Sequence, residues 1–221
     1  FYLGPSSYPM TFHQHVDTGW NLVSLPVQTT DHYVRNLFPS MQGQAFAYAG
    51  AYVERDTINE GIGYWLKFPS DVQVDVTGMS LVKKTINVVN GWNTIGGLSS
   101  PLPVSSILTN GTTVMSDYFS YTSASGYAAA DTLMPGFGYW VNVNSIGQLI
   151  LKTDSVVIQP KASPVIEERP PITFSFRDAR GQERTLSINR SKSKAGKYEL
   201  PPLPPGDAMD VRFATNRFVE T

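Results

Sequence analysis

The chain has 221 residues, of which 41% are hydrophobic and only 16% charged, with a formal net charge of −1 and no cysteine. The charged share is well below the usual value of about 25%. With so little net charge, a broad polyanion-binding surface is excluded and nucleic acid is not an expected partner. Without cysteine the chain has no disulfide, thiolate metal site or cysteine nucleophile. The 18 glycines and 16 prolines, with abundant Tyr, Phe, Ser, Thr and Asn, suit short strands joined by many turns.

The chain opens at Phe1 with no initiator Met and no signal-peptide pattern, which reads as a processed or excised product. No apolar run approaches the roughly 20 residues a membrane-spanning helix needs, so membrane insertion is not expected. Residues 1–16 are apolar and aromatic with almost no charge. Left alone in water, such a stretch is an exposed-strand hazard. Phe1, Tyr2, Leu3, Tyr8 and Phe12 therefore mark a candidate strand-exchange segment, which pairs either with an edge of another copy or within its own domain.

An internal duplication follows. Gly19-Trp20-Asn21 recurs as Gly91-Trp92-Asn93, 72 positions on. Phe46-Ala47-Tyr48 recurs as Phe119-Ser120-Tyr121, at an offset of 73. Tyr52 matches Tyr127 at 75, as does the run from Asp56-Thr57 to Gly63-Tyr64-Trp65-Leu66, which matches Asp131-Thr132 to Gly138-Tyr139-Trp140-Val141. The growing offset predicts a short insertion near residues 123–126. We expect two similar β units, about 19–88 and 91–158, related by a pseudo-twofold or a translation. Alternation puts Tyr64, Leu66 and Phe68 on one strand face, and Tyr139, Val141 and Val143 on its counterpart. Residues 72–76 and 85–89 complete the first unit in this reading, and residues 149–151 and 156–158 the second. Short helical turns are expected only near 32–37 and 104–108.

Residues 160–171 carry four prolines and form the expected linker. Composition changes across it. Residues 1–159 hold 6 Lys+Arg and 10 Asp+Glu, whereas residues 160–221 hold 11 and 8. Beyond the linker, Ile172, Phe174 and Phe176 alternate, residues 178–181 read as a hairpin turn, and further strands are expected at 186–188, 198–200 and 211–213. The expected architecture is all-β: a duplicated β domain over 1–159, then a small Ig-like β-sandwich-type domain over 172–221.

The Gly-Trp-Asn and Gly-x-Gly-Tyr-Trp pair resembles a repeated module of large secreted proteins of the Bacteroidetes and Ignavibacteria. The tail from Tyr198 to Pro205, followed by Asp210-Val211-Arg212-Phe213, resembles the segment that precedes a type IX secretion sorting domain. The resemblance implies an extracellular or cell-surface setting and names no activity. Asp56-Thr57-Ile58, Asp131-Thr132-Leu133 and Asp154-Ser155-Val156 also resemble the O-glycosylation motif of Bacteroidetes, which makes Thr57, Thr132 and Ser155 candidate attachment points.

The remaining chemistry-bearing residues have plainer readings. His13, His15 and His32 could ligate a metal but are read as exposed strand histidines, so no metal or cofactor is expected. Asp56 and Asp131 could pair as glycosidase carboxylates, but an Asp-Thr ahead of a glycine turn reads as a carboxylate turn cap. Trp20, Trp65, Trp92 and Trp140 could stack on sugar rings, yet a repeated Trp is read as core. Tyr48, Tyr52, Tyr121 and Tyr127, beside Gly and Ala, are the candidate exposed contacts for glycans or a partner. The basic stretch 190–197 reads as a solvated turn. No nucleophile triad, phosphate loop or nucleotide fingerprint is present. We expect a non-enzymatic extracellular structural or adhesive surface protein that assembles with copies of itself or other surface proteins. The alternative is a carbohydrate-binding module of a larger secreted enzyme.

Overall fold

The computed structural model describes residues 7–153, 172–188 and 199–220. The expected linker, the strand at 156–158, Ser155, the basic stretch 190–197, and Phe1, Tyr2 and Leu3 lie outside them.

The first set of elements is β1 (Pro9–Val16), β2 (Gly19–Val23), β3 (Val27–Gln28), the one-turn helix α1 (Val34–Leu37), β4 (Gln42–Tyr48), β5 (Tyr52–Arg55), β6 (Tyr64–Phe68) and β7 (Val72–Ser80). Two antiparallel sheets result, ordered β1-β7-β3 and β2-β6-β4-β5. The second set is β8 (Lys83–Val88), β9 (Gly91–Gly96), β10 (Leu102–Pro103), a 3-10 turn (Val104–Ser106), β11 (Leu108–Asn110), β12 (Tyr118–Thr122), β13 (Gly126–Ala130), β14 (Thr132–Leu133), β15 (Gly138–Val143) and β16 (Gly147–Lys152). Of its two larger sheets, β13-β12-β15-β9 repeats β5-β4-β6-β2 strand for strand, while β11-β16-β8 repeats the β7-β1 pair but takes its third strand from after the 3-10 turn, where the first unit takes β3 from before its helix.

The strand near 85–89, expected to close the first unit, instead pairs with β16 and opens the second. The motif asparagine supplies the local reason. Asn21 accepts from the Asp17 amide and donates to the Asp17 and Gly19 carbonyls, clamping the β1–β2 turn. Asn93 makes the same three bonds to Val89 and Gly91, tying β8 to β9. Each unit therefore begins one strand before its Gly-Trp-Asn motif.

Between the two sheets of each unit lies a dry core. In the first, Val16, Val74 and Val76 meet Val23, Ala45, Tyr64, Leu66 and Phe68. In the second, Ile86, Val88, Leu149 and Leu151 meet Ile95, Tyr118, Tyr139, Val141 and Val143. The equivalent tyrosines Tyr64 and Tyr139 each place their hydroxyl against a main-chain amide. Tyr64 Oη accepts from the Asn59 amide at 3.0 Å, and Tyr139 Oη from the Met134 amide at 2.7 Å.

Beyond the second unit, β17 (Ile172–Arg177), β18 (Glu183–Ile188) and β19 (Val219–Glu220) form a sheet in that order. The Asp178 carboxylate accepts from the Arg180 and Gln182 amides and fixes the β17–β18 turn. Of the other expected strands, Glu199 forms a single bridge with Arg217, and residues 211–213 are in no strand. The proline-rich backbone there has few amide donors for a ladder. The protein is all-β.

Candidate functional site

Strand alternation puts every second residue of β6 and β15 on the face away from its unit's core. Those faces meet each other. Trp65 and Trp140 have no exposed surface and lie at the centre of a shared aromatic seam with Trp20, Phe46, Tyr48, Tyr52, Trp92, Phe119, Tyr121 and Tyr127.

The contacts across the seam are reciprocal. Tyr48 packs edge-on against Trp140 with centroids 4.7 Å apart, and Trp65 packs edge-on against Tyr121, again at 4.7 Å. Tyr48 and Tyr121 are equivalent residues, as are Trp65 and Trp140. The glycine turns repeat the pattern: a Cβ on Gly136 would strike Phe12 and Gln14, and one on Gly61 would strike Lys84 and Ile86. On the axis, equivalents touch. A Cβ on Gly63 would lie 3.3 Å from Gly138 Cα, one on Gly138 would lie 3.0 Å from Gly63 Cα, and Gly96 abuts Ser24. A contact from i to j matched by one from j to i is the mark of a twofold interface, so the two units are related by a pseudo-twofold within one chain.

Chemically, the seam is a hydrophobic joint with few polar handles. The indole N–H groups of Trp65 and Trp140 have no hydrogen-bond partner among the described residues. Each indole meets the reciprocal tyrosine ring in a T-shaped arrangement, at interplanar angles of 69° and 66°. The rim is polar. Tyr52 Oη donates to the Leu203 carbonyl at 2.6 Å, and its equivalent Tyr127 Oη donates to the adjacent Pro202 carbonyl at 2.7 Å. Burial pushes both phenols well above the usual tyrosine range. The proline-rich segment thus lies across the seam, held from both sides by twin tyrosines.

Its ends are fastened differently. Leu200 is buried in the aromatic cluster. At the other end the Asp207 carboxylate accepts from Lys67 at 2.8 Å, from Arg180 at 3.0 Å and from the Trp20 indole at 3.2 Å. The Lys67 and Arg180 hydrogen bonds hold its carboxyl far below the usual carboxylate range. Arg184 enters from β18, 6% exposed, and donates to the carbonyls of Ser123, Ala124 and Met209 while lying over the Tyr121 ring. Its carbonyl acceptors at Ser123 and Ala124 belong to the short insertion that the second repeat has and the first lacks.

The expected glycan- or partner-contacting tyrosines are therefore placed otherwise. Tyr121 is buried, and Tyr48, Tyr52 and Tyr127 are half-buried in the seam under the chain's own tail. Small neighbours were a misleading signal of exposure, because Gly and Ala also allow two sheets to approach. Tyr8 and Phe12 are likewise engaged within the chain. The Tyr8 main chain brackets Ser80, and Phe12 sits in β1, paired with Val76 of β7, against the Gly136 turn. Arg184 and Asp207 carry no motif, and Leu200 lies in the tail motif with nothing in the sequence to mark it as the residue that enters the seam.

The histidines have separate partners. His13 meets Asp75, His15 meets Asp17, and His32 meets the Ile58 carbonyl. The His13 contact holds the exposed Asp75 carboxyl below its ordinary range. At Asp56 and Asp131 the main-chain carbonyls make the turn contacts, accepting from Val34 and Val104, so the expected carboxylate caps are corrected. Thr57 is exposed and Thr132 half-buried, each in a short bridge at the same place in its unit. Among the described residues no helix is long and apolar enough to cross a membrane. Comparisons of the chain with protein-family models, curated proteins and solved structures return no match.

Proposed function

We propose that this chain is a non-enzymatic structural or adhesive module of an extracellular surface assembly, associating with copies of itself or other surface proteins. One observation carries the reading. The aromatic side chains that a sugar-binding platform would present are engaged in joining the two units and holding the tail, while a strand edge is left open. Among the described residues that edge is β17, paired only with β18, with Ile172, Phe174 and Phe176 exposed at 46%, 44% and 42%. An open apolar edge is a template for pairing with another chain. The extracellular setting, type IX export and sugars on Thr57 and Thr132 rest on the sequence resemblances alone.

Light scattering and electron microscopy of the full chain test the reading. Assembly is expected to grow with concentration and to need at least tenfold more protein in Phe174→Lys. A chain that stays monomeric at high concentration and binds a glycan array would sink it in favour of the carbohydrate-binding alternative.

A further inference from the structure

The seam is complete without the segment that covers it. Its Trp and Tyr residues, its reciprocal contacts and its rim hydroxyls all come from residues 19–140, whereas the cover comes from Arg184 and residues 200–218. The cover has the chemistry of a ligand. Pro201, Pro202, Pro204 and Pro205 have no amide to donate, so the carbonyls of this stretch accept from side chains, Pro201 from Arg212, Pro202 from Tyr127 and Leu203 from Tyr52. Aromatic grooves take such segments in many recognition domains. Here the tyrosine pair reads two consecutive carbonyls, Leu200 is the apolar anchor, and Asp207 meets Lys67 at a charged stop.

We propose that the seam is a receptor for this C-terminal segment in trans, and that its occupant in an assembly is the segment, residues 172–220, of a second copy of this chain. The proposal rests on the self-associating reading above and names its partner. Chain length allows the exchange. Eighteen residues separate Thr153 from Ile172. Extended, they reach about 60 Å at 3.3–3.6 Å per residue. A compact unit of about 150 residues is only roughly 40 Å across. The contacts are the same in cis and in trans, so the choice is set by local concentration. A connection of this length holds its segment at roughly millimolar effective concentration, so exchange becomes dominant where copies crowd to similar density. Reciprocal exchange between two copies closes a dimer, and one-way exchange builds an open chain.

Complementation with full-length chains tests this, in a Phe174→Lys background so that edge pairing does not contribute. One copy carries Arg184→Glu and Leu200→Asp, which disable the segment and leave its seam empty. The other carries Tyr52→Phe, Tyr127→Phe and Lys67→Glu, which disable the seam and free its segment. Each alone is expected to be monomeric, and the equimolar mixture to run at twice the mass. If the first copy fails to fold, Asp207→Lys on the exposed rim replaces its two changes. A mixture that stays monomeric, with both copies folded by near-ultraviolet circular dichroism, overturns the proposal and leaves the edge-pairing reading standing. A peptide of residues 199–213 is also expected to saturate the first copy, and to bind at least tenfold more weakly when Tyr52→Phe and Tyr127→Phe are added. An unrelated peptide of equal proline content that binds as tightly would make the seam a general proline-segment receptor and overturn the assignment to a second copy.

Discussion

The two repeat units share one topology but not one environment. Trp20 and Trp92 begin equivalent strands and pack on equivalent phenylalanines, at 5.9 and 6.1 Å. Yet Trp20 is 9% exposed and bonded to Asp207, while Trp92 is only half-buried. In the second unit the insertion offers carbonyls to Arg184, and Phe119 gains Phe218 as an edge-on neighbour at 6.2 Å. The difference teaches that duplication built a symmetric joint and that a single unrepeated tail then broke the symmetry. A twofold groove offers two equivalent ways to seat a ligand. The charged stop on the first unit and the arginine site on the second permit one.

The comparison can be broken hardest at its centre. Trp65→Ala and Trp140→Ala should each cost about 3–5 kcal/mol in chemical denaturation, because each removes a fully buried ring. The two losses should be alike, since the residues are equivalent; Trp92→Ala should cost clearly less. A gap of more than about 2 kcal/mol between Trp65→Ala and Trp140→Ala would show that the units do not share the joint equally. On the axis, Gly63→Ala and Gly138→Ala should each destabilise by about 1–3 kcal/mol through overpacking. Their double variant should depart from additivity, because each new methyl faces the other's backbone.

Smaller changes sharpen the asymmetry. Arg184→Met should weaken docking of the tail by about 1–3 kcal/mol, since it leaves buried carbonyls without their donor. Both unit cores should keep their protection in hydrogen exchange, and loss of protection in β6 or β15 would contradict the independence of the seam. Tyr52→Phe and Tyr127→Phe should each cost about 0.5–1.5 kcal/mol and act on the tail alone. The smallest effect concerns pH. Asp207 has a lowered carboxyl pKa in the folded chain, so its contribution is present above the ordinary carboxylate range and is lost as pH falls through and below it. Because the group is exposed on the rim, the effect is modest. Acid titration of tail docking should show it, and Asp207→Asn should flatten the curve. At the alkaline end the sign reverses. The seam tyrosines have raised pKa values, so stability should decline as pH rises past about 10, where the unfolded phenols ionise first.

Several features were legible in the residues because they depend on local rules. The sequence repeat, the strands of the two units, the two short helical turns and the inward faces of β6 and β15 follow from spacing and alternation, whereas the strands expected at 198–200 and 211–213 do not form as read. Alternation says which side chains share a face, not what that face will meet. Tyr48, Tyr52, Tyr121 and Tyr127 read as exposed contacts in the sequence, and their seam burial depends on a second sheet 72 to 75 positions away. The partner of β8 was open for the same reason, since residues 83–88 could extend either unit until its clamped turn and β16 chose one.

By itself, then, the sequence determined that this protein is all-β, that it is built twice over, and that its repeated tryptophans would be scarce on the surface. Period-two alternation and the restricted turn geometry of Gly and Pro act within a few residues, so they can be read along the chain. Only the tertiary structure decided that the repeats face each other across a pseudo-twofold, and that Arg184, Leu200 and Asp207 are the tail's fastenings. The contacts of Asp207 with Lys67 and of Arg184 with Ser123 join residues with no shared motif and more than fifty positions between them, and the stability of the seam comes from removing two aromatic faces from water together.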